Sequence, residues 1–220
     1  MRLLSYPLSP ETPMYGGGPG PEILQTRSID SGDSSNSLSI HISNHTGTHI
    51  DCPAHFDSAG KKITDYPPDY WYSSTTACIT IDYIPTEGEL INPESLHRPV
   101  SISGSERAVL LRTGWCDRRS EPRYREKPPG LGIGLADWIR ENFPSACFFG
   151  FDLISASSFL HRETGREVHR EFLKHERPIL LIEDMDLRTI GRLPPGDLLL
   201  SPLFISGADA APVTVWTDIH

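Results

Sequence analysis

The chain has 220 residues and a formal net charge of −9, from 20 Lys plus Arg against 29 Asp plus Glu. That acidity, with no basic run, argues against nucleic acid or an anionic membrane surface as a partner. No stretch approaches the ~20 apolar residues of a membrane span. The 37% hydrophobic and 22% charged shares suit one soluble domain with a real core, expected to cover residues 1–220.

Pro7, Pro10 and Pro13 interrupt the N-terminal segment, so no signal peptide is expected there. Cys52, Cys78, Cys116 and Cys147 are widely spaced without a C-x-x-C pair, which favours a reduced, cytoplasmic setting over a disulfide framework. Leu3 to Tyr6 reads as a short strand, followed by a Pro- and Gly-rich arm to residue 20. Ser37 to Ser43 alternates apolar and polar residues, the pattern of a half-buried strand with Leu38, Ile40 and Ile42 on one face. His41 then belongs to the polar face.

That strand leads into His45-Thr46-Gly47-Thr48-His49-Ile50-Asp51-Cys52-Pro53-Ala54-His55-Phe56, and residues 41–55 hold four of the nine histidines. His45, His49, Asp51 and His55 are side chains able to bind a divalent cation. Imidazole and carboxylate without paired thiolates suit zinc, manganese or iron(II) and argue against a Cys-rich structural zinc site. The H-x3-H spacing fits one helical turn, but Gly47, Pro53 and the β-branched Thr46, Thr48 and Ile50 disfavour a helix. The motif is therefore expected on a turn that follows a strand.

Residues 57–72 read as irregular, and their Tyr66, Tyr70, Trp71 and Tyr72 either wall a pocket or pack at a loop edge. Ala77 to Tyr83 and Ala108 to Trp115 read as strands, with a turn between them capped by Asn92 and Pro93. Arg112, in R-T-G-W, either anchors a carboxylate or pairs with an acidic core residue. Arg118 to Pro129 reads as a solvated charged loop. Gly134 to Phe143 has Leu135, Trp138, Ile139 and Phe143 at helical spacing, and Pro144 stops it. Ala146 to Leu153 suits a fully buried strand; Asp152 at its end, with Ser155 after it, is able to cap a turn. Thr164 to Lys174 reads as a helix carrying His169, which alone would pass as a surface or satisfied core histidine. Glu183 closes the apolar run from Ile179, where a carboxylate needs a cation, hydrogen bonds or an exit to the surface. Beyond the segment 194–197, Leu198 to Ser206 and Val213 to Asp218 read as strands around G-A-D-A-A-P. There is no G-x-S-x-G elbow and no phosphate-binding glycine loop.

The string H-T-G-T-H-x-D-x-P-x-H-F at 45–56 resembles the signature of the metal-dependent cyclase and bacterial kynurenine formamidase family. The likeness extends to L-S-Y-P at residues 4–7, R-T-G-W at 112–115, V-H-R-E-F-L with I-L-L-I-E-D-M, and the closing G-A-D-A-A-P-V. It implies a mixed α/β fold of the swivelling β/β/α type, a β-barrel-like sheet flanked by helices, and a homodimer or homotetramer. It implies His45, His49 and Asp51 as metal ligands, Asp51 bridging to a second ion that His169 and Glu183 complete, and His55 in acid/base chemistry. For Asp152 and Ser155 it implies the alternative to a turn cap, a place near the metal site. The cofactor would be one or two ions of zinc or manganese. Two features depart from the family: Leu3 stands where an Asp often precedes the Leu, and the His169–Glu183 link is lengthened by His175-Glu176-Arg177-Pro178.

The activity implied is hydrolysis of a small aromatic amide by a metal-activated water, with an aryl formamide such as N-formylkynurenine, an intermediate of tryptophan catabolism, as substrate. The alternatives are a cyclic-amide hydrolase of the isatin type and, in another class, a non-catalytic metal- or ligand-binding protein.

Overall fold

The computed structural model describes residues 1–97, 103–190 and 195–219. In chain order the strands are β1 (Arg2–Leu3), β2 (Glu22–Arg27), β3 (Ser37–His41), β4 (His49–Asp51), β5 (Tyr72–Ser73), β6 (Thr76–Thr80) and β7 (Leu90–Ile91). They continue with β8 (Ala108–Arg112), β9 (Gly130–Leu131), β10 (Phe148–Phe151), β11 (Leu180–Glu183), β12 (Pro195–Pro202) and β13 (Ala210–Ile219). The helices are α1 (Pro122–Glu126), α2 (Leu135–Asn142) and α3 (Arg162–Leu173). Among the described residues no helix is long and apolar enough to cross a membrane.

Nine strands form one sheet in the order β5-β12-β13-β4-β11-β10-β8-β6, with β1 paired to β13. Its two end strands, β5 and β6, are separated in sequence only by Ser74 and Thr75. That short link forces the twisted sheet to curl until its edges nearly meet, which gives the expected barrel-like sheet. The strands β6, β8, β10 and β11 run parallel, whereas β4 is antiparallel to both β11 and β13.

Side-chain alternation sorts the apolar residues into two layers. Ile50, Leu110, Phe148, Ile182, Leu200 and Val215 fill the inside of the curl. Val109, Leu111, Phe149, Phe151 and Leu181 face outward and are covered by Ile139 of α2 and by Val168 and Phe172 of α3. Both faces of β10 and β11 are thus buried, which explains why these strands read as nearly continuous apolar runs.

The expected helices and core strands are present, with ends that differ by a few residues. The strand at 37–43 is not half-buried. Leu38 and Ile40 of β3 are 60% and 57% exposed, because β3 pairs only with β2, in a two-stranded ribbon outside the main sheet. The segment 118–129 is not simply solvated either: it includes α1, whose Tyr124 is fully buried. Pro194, at the head of the final turn, lies outside the described residues.

Candidate metal centre

The register of β4 builds the centre. Its partners place His49 opposite Glu183 of β11, and Asp51 opposite Leu181 and, on the other side, Ala210. Alternation turns His49 and Asp51 to the outer face while Ile50 enters the barrel core. The β-branched residues that count against a helix here support a strand. His49 and Asp51 therefore lie on a buried central strand, with only His45 and His55 on the flanking turns. Gly47, at φ 63°, allows the turn between His45 and β4, and Pro53 opens the short 3-10 turn that carries His55.

Three side-chain groups converge. His45, His49 and Asp51 form one, and Asp51, His169 and Glu183 a second, with Asp51 common to both. His45 Nδ1 lies 3.0 Å and His49 Nε2 3.6 Å from Asp51 Oδ1. His49 Nε2 and His169 Nε2 each lie 3.4 Å from a Glu183 oxygen, and His169 Nε2 is 3.8 Å from Asp51 Oδ2. A third group joins His45, His55 and Asp209. His55 Nδ1 is 2.8 Å and His45 Nε2 3.3 Å from Asp209 Oδ2, while Asn44 Nδ2 donates to Asp209 Oδ1 at 2.7 Å.

The donor set fits a divalent cation. Asp51 Oδ1 is buried with no well-aligned hydrogen bond and faces His45 Nδ1 and His49 Nε2, so a buried carboxylate here needs a proton on those rings or a metal ion between them. His49 Nδ1 contacts the Gly47 carbonyl at 2.8 Å and His169 Nδ1 the Gly165 carbonyl at 2.7 Å. Protons assigned to those Nδ1 atoms leave both Nε2 lone pairs aimed at carboxylates, an arrangement that calls for a proton or a metal between them. Ala156 N–H donates to Glu183 Oε1 at 2.7 Å and Ser155 Oγ at 3.3 Å, holding that carboxylate from the far side.

The electrostatics agree. Burial opposes the charged form of His49, but Glu183 and Asp51 outweigh it and push the pKa up to about 9. Burial likewise opposes charge on His45 and His169, which Asp51 and Glu183 respectively reverse, so both are raised. Burial alone would raise Glu183 and Asp51; the facing imidazoles hold both below the usual carboxylate range.

A cavity of about 230 Å³ opens on these residues, walled by Pro13, Tyr15, Phe56 and Ile154. Phe56 stacks on His169 with ring centroids 4.9 Å apart. Tyr66, Tyr70 and Trp71 are not part of this wall: Tyr70 and Trp71 pack against Phe148 of the barrel core, and Tyr66 packs on both. Tyr66 and Tyr70 instead line a separate cavity of about 540 Å³ that His45, His49, His55 and His169 do not reach.

The other candidates sort as follows. Glu183 is buried, so the surface alternative is excluded, and His169 is buried facing it. His41 lies on the exposed ribbon, and His41, His161 and His175 join none of the three groups. Arg112 has a buried Nε without a hydrogen bond; the acidic core residue Asp184 pairs instead with Arg119. Asp152 accepts from Thr113 N–H, Thr113 Oγ1 and Gly114 N–H at 2.7–2.9 Å, tying down the R-T-G-W turn, while Ser155 does reach the centre. Sequence reasoning missed Asp209, Tyr15 and Phe56. The signals were the G-A-D-A-A-P string, the Phe closing the histidine motif and, for Tyr15, the opening L-S-Y-P-L-S-P-E-T-P-M-Y string, whose family counterpart borders the active site or a subunit contact; none says which side chain it faces.

Residues 3–157 match the Cyclase family model. Kynurenine formamidase of Bacillus anthracis is 31% identical over 176 residues, 79% of this chain and 76% of that protein. Among solved structures, isatin hydrolase A from Ralstonia solanacearum superposes with a TM-score of 0.70 at 21% identity, covering 97% of this chain and 89% of that one. A predicted metal-dependent hydrolase from Bacillus stearothermophilus gives 0.75 at 18% identity, covering 98% and 96%. These two likenesses concern the fold.

Proposed function

This chain belongs to the cyclase family, and on that premise we propose that it is a metal-dependent amide hydrolase acting on an aryl formamide of the N-formylkynurenine type. One observation carries the reading: Asp51 belongs to both ligand groups, and its buried carboxylate faces the imidazole nitrogens of His45, His49 and His169. We take the metal to be zinc or manganese, held by His45, His49 and Asp51 and, where a second ion binds, by Asp51, His169 and Glu183. Such an ion acidifies water and polarises a carbonyl.

The chain's own residues supply the rest. Gly47 and Gly165 fix the ring orientations of His49 and His169, and Ala156 fixes Glu183. His55 donates a hydrogen bond from Nδ1–H to Asp209, which leaves the Nε2 lone pair to take the proton released by the attacking water and pass it to the departing aryl nitrogen. Tyr15, Phe56 and Ile154 offer a flat apolar wall to the ring. The relatives named kynurenine formamidase support this substrate.

We read the chain as one domain, a reading supported by β1 pairing with β13 across the sequence. A cytoplasmic setting is supported by four free cysteines. A homodimer or homotetramer is supported by the exposed apolar side chains Leu24, Ile29, Leu38 and Ile40 on and beside the β2–β3 ribbon.

A cyclic-amide substrate of the isatin type is the second reading. No Lys or Arg side chain lines the cavity among the described residues, which favours a substrate without a free carboxylate, such as isatin. The deciding experiment strips the metal, reloads zinc or manganese, and measures formate release from N-formylkynurenine beside ring opening of isatin. Formate release that disappears in His49→Ala supports the first reading, and isatin opening alone selects the second. Metal binding without either reaction favours a non-catalytic binding protein.

A further inference from the structure

One residue past Glu183, Asp184 is 1% exposed and has φ 53°, the one positive φ outside glycine among the described residues. Left-handed backbone is unfavourable for a residue with a Cβ, although Asp tolerates it better than most, and it persists where surroundings impose it. Arg119 donates from Nε to Asp184 Oδ1 at 2.8 Å and from Nη2 to Oδ2 at 2.6 Å, and the Tyr124 hydroxyl donates to Oδ1 at 2.6 Å. The Asp184 N–H donates to Leu153 O at 2.8 Å, and its carbonyl accepts from Thr48 Oγ1 at 2.6 Å.

The kink changes what the following residues face. Leu180 and Ile182 enter the barrel core, and strict alternation would send Met185 outward with Glu183; instead Met185 joins the core. A residue in the left-handed region thus shifts the side-chain parity by one immediately after Glu183 has been delivered to the outer face. Thr48, which grips the Asp184 carbonyl, immediately precedes His49. The same hydroxyl accepts from Tyr6 N–H at 3.1 Å, and the Arg119 guanidinium lies 3.8 Å from the Tyr6 ring centroid. The hub therefore holds the two strands whose ends carry His49 and Glu183.

We propose that Asp184, clamped by Arg119 and Tyr124, is a positioning residue for the metal centre, setting the placement of Glu183 on β11 and of His49 on β4. The proposal rests on the metal-site reading above. Asp184 is not among the residues lining the cavity, so its action runs through its neighbours.

The test uses zinc alone. Metal-stripped wild type, Asp184→Asn, Tyr124→Phe and Glu183→Gln are titrated with zinc against a chromogenic chelator, and each metal-free chain is melted. Asp184→Asn and Tyr124→Phe are expected to bind zinc about 10- to 100-fold more weakly, the usual effect of losing a group that orients a ligand. Tyr124→Phe removes one hydroxyl and decides the matter if Asp184→Asn fails to fold. Ile139→Val, a core truncation away from the hub, is expected to lower melting and keep wild-type zinc affinity. Wild-type affinity in folded Tyr124→Phe and Asp184→Asn, with lower melting alone, overturns the positioning role, as does an equal loss in Ile139→Val. Zinc affinity that Glu183→Gln also leaves unchanged, or no zinc binding by wild type, overturns instead the reading of Asp51, His169 and Glu183 as a zinc site, on which the proposal rests.

Discussion

His49 and Glu183 are direct cross-strand partners on the antiparallel pair β4–β11, and their side chains meet with His49 Nε2 3.4 Å from Glu183 Oε2. Because side chains alternate with a period of two, a one-residue slip of this register would send Glu183 into the barrel core and break the site. The sheet that builds the core also holds the site together.

Glu183→Gln preserves the shape of this pair and removes its charge. Hydrolysis by the metal-loaded protein is expected to fall by on the order of 100-fold or more, and metal affinity to fall with it. Chelation of wild type is expected to abolish activity and lower the melting temperature. An ion at 100 times its Kd stabilises the native state by about 2.7 kcal/mol, or roughly 5–10 °C for a chain of this size. Calorimetry with and without chelator checks this; a melting temperature indifferent to metal would contradict it.

The metal-free chain has its own pH dependence. The folded pKa of His49, about 9, lies above its ordinary ~6.5, so the protonated form is favoured in the native state. The stability this contributes is fully present below ~6.5 and is lost as pH rises through about 9, an effect on the order of 2–3 kcal/mol. Urea unfolding in chelator at pH 6 and pH 9 measures it, and equal stability at the two would count against the His49–Glu183 coupling.

Asp209 touches two imidazoles at once, His55 at 2.8 Å and His45 at 3.3 Å. Asp209→Asn keeps the volume but offers an amide where a carboxylate accepted, so His55 loses the partner that selects its tautomer. A drop in kcat of roughly 10- to 100-fold is expected, with KM changed much less. Steady-state kinetics separate the two; a KM effect alone would place Asp209 in substrate binding.

The exposed ribbon leads to a prediction about assembly. Leu38→Asp combined with Ile40→Asp places charge on an apolar surface that is more than half exposed at both positions. The fold is expected to survive while the proposed homodimer or homotetramer dissociates, as read by sedimentation. An unchanged sedimentation coefficient would overturn an interface on this ribbon.

Much of the site was legible in the chain. The spacing of His45, His49, Asp51 and His55 is local, the apolar run around Glu183 leaves a choice between a compensated buried carboxylate and an exit to the surface, and helical spacing turns Val168 and Phe172 of α3 inward. These readings rest on periodicity and on the cost of burial, which act within a few residues of each position. Pairing decided the rest. β3 alternates like a half-buried strand, but only the sheet order left it exposed, and Tyr66, Tyr70 and Trp71 had the composition of a pocket wall, but strand order set them by Phe148 and not at the metal centre. Asp209 meets His55, and Arg119 meets Asp184, because distant segments converge where strands pair. Local pattern determines which side of an element is apolar or chemically able; what that side meets is decided by strand order and register, which depend on the packing of the whole chain.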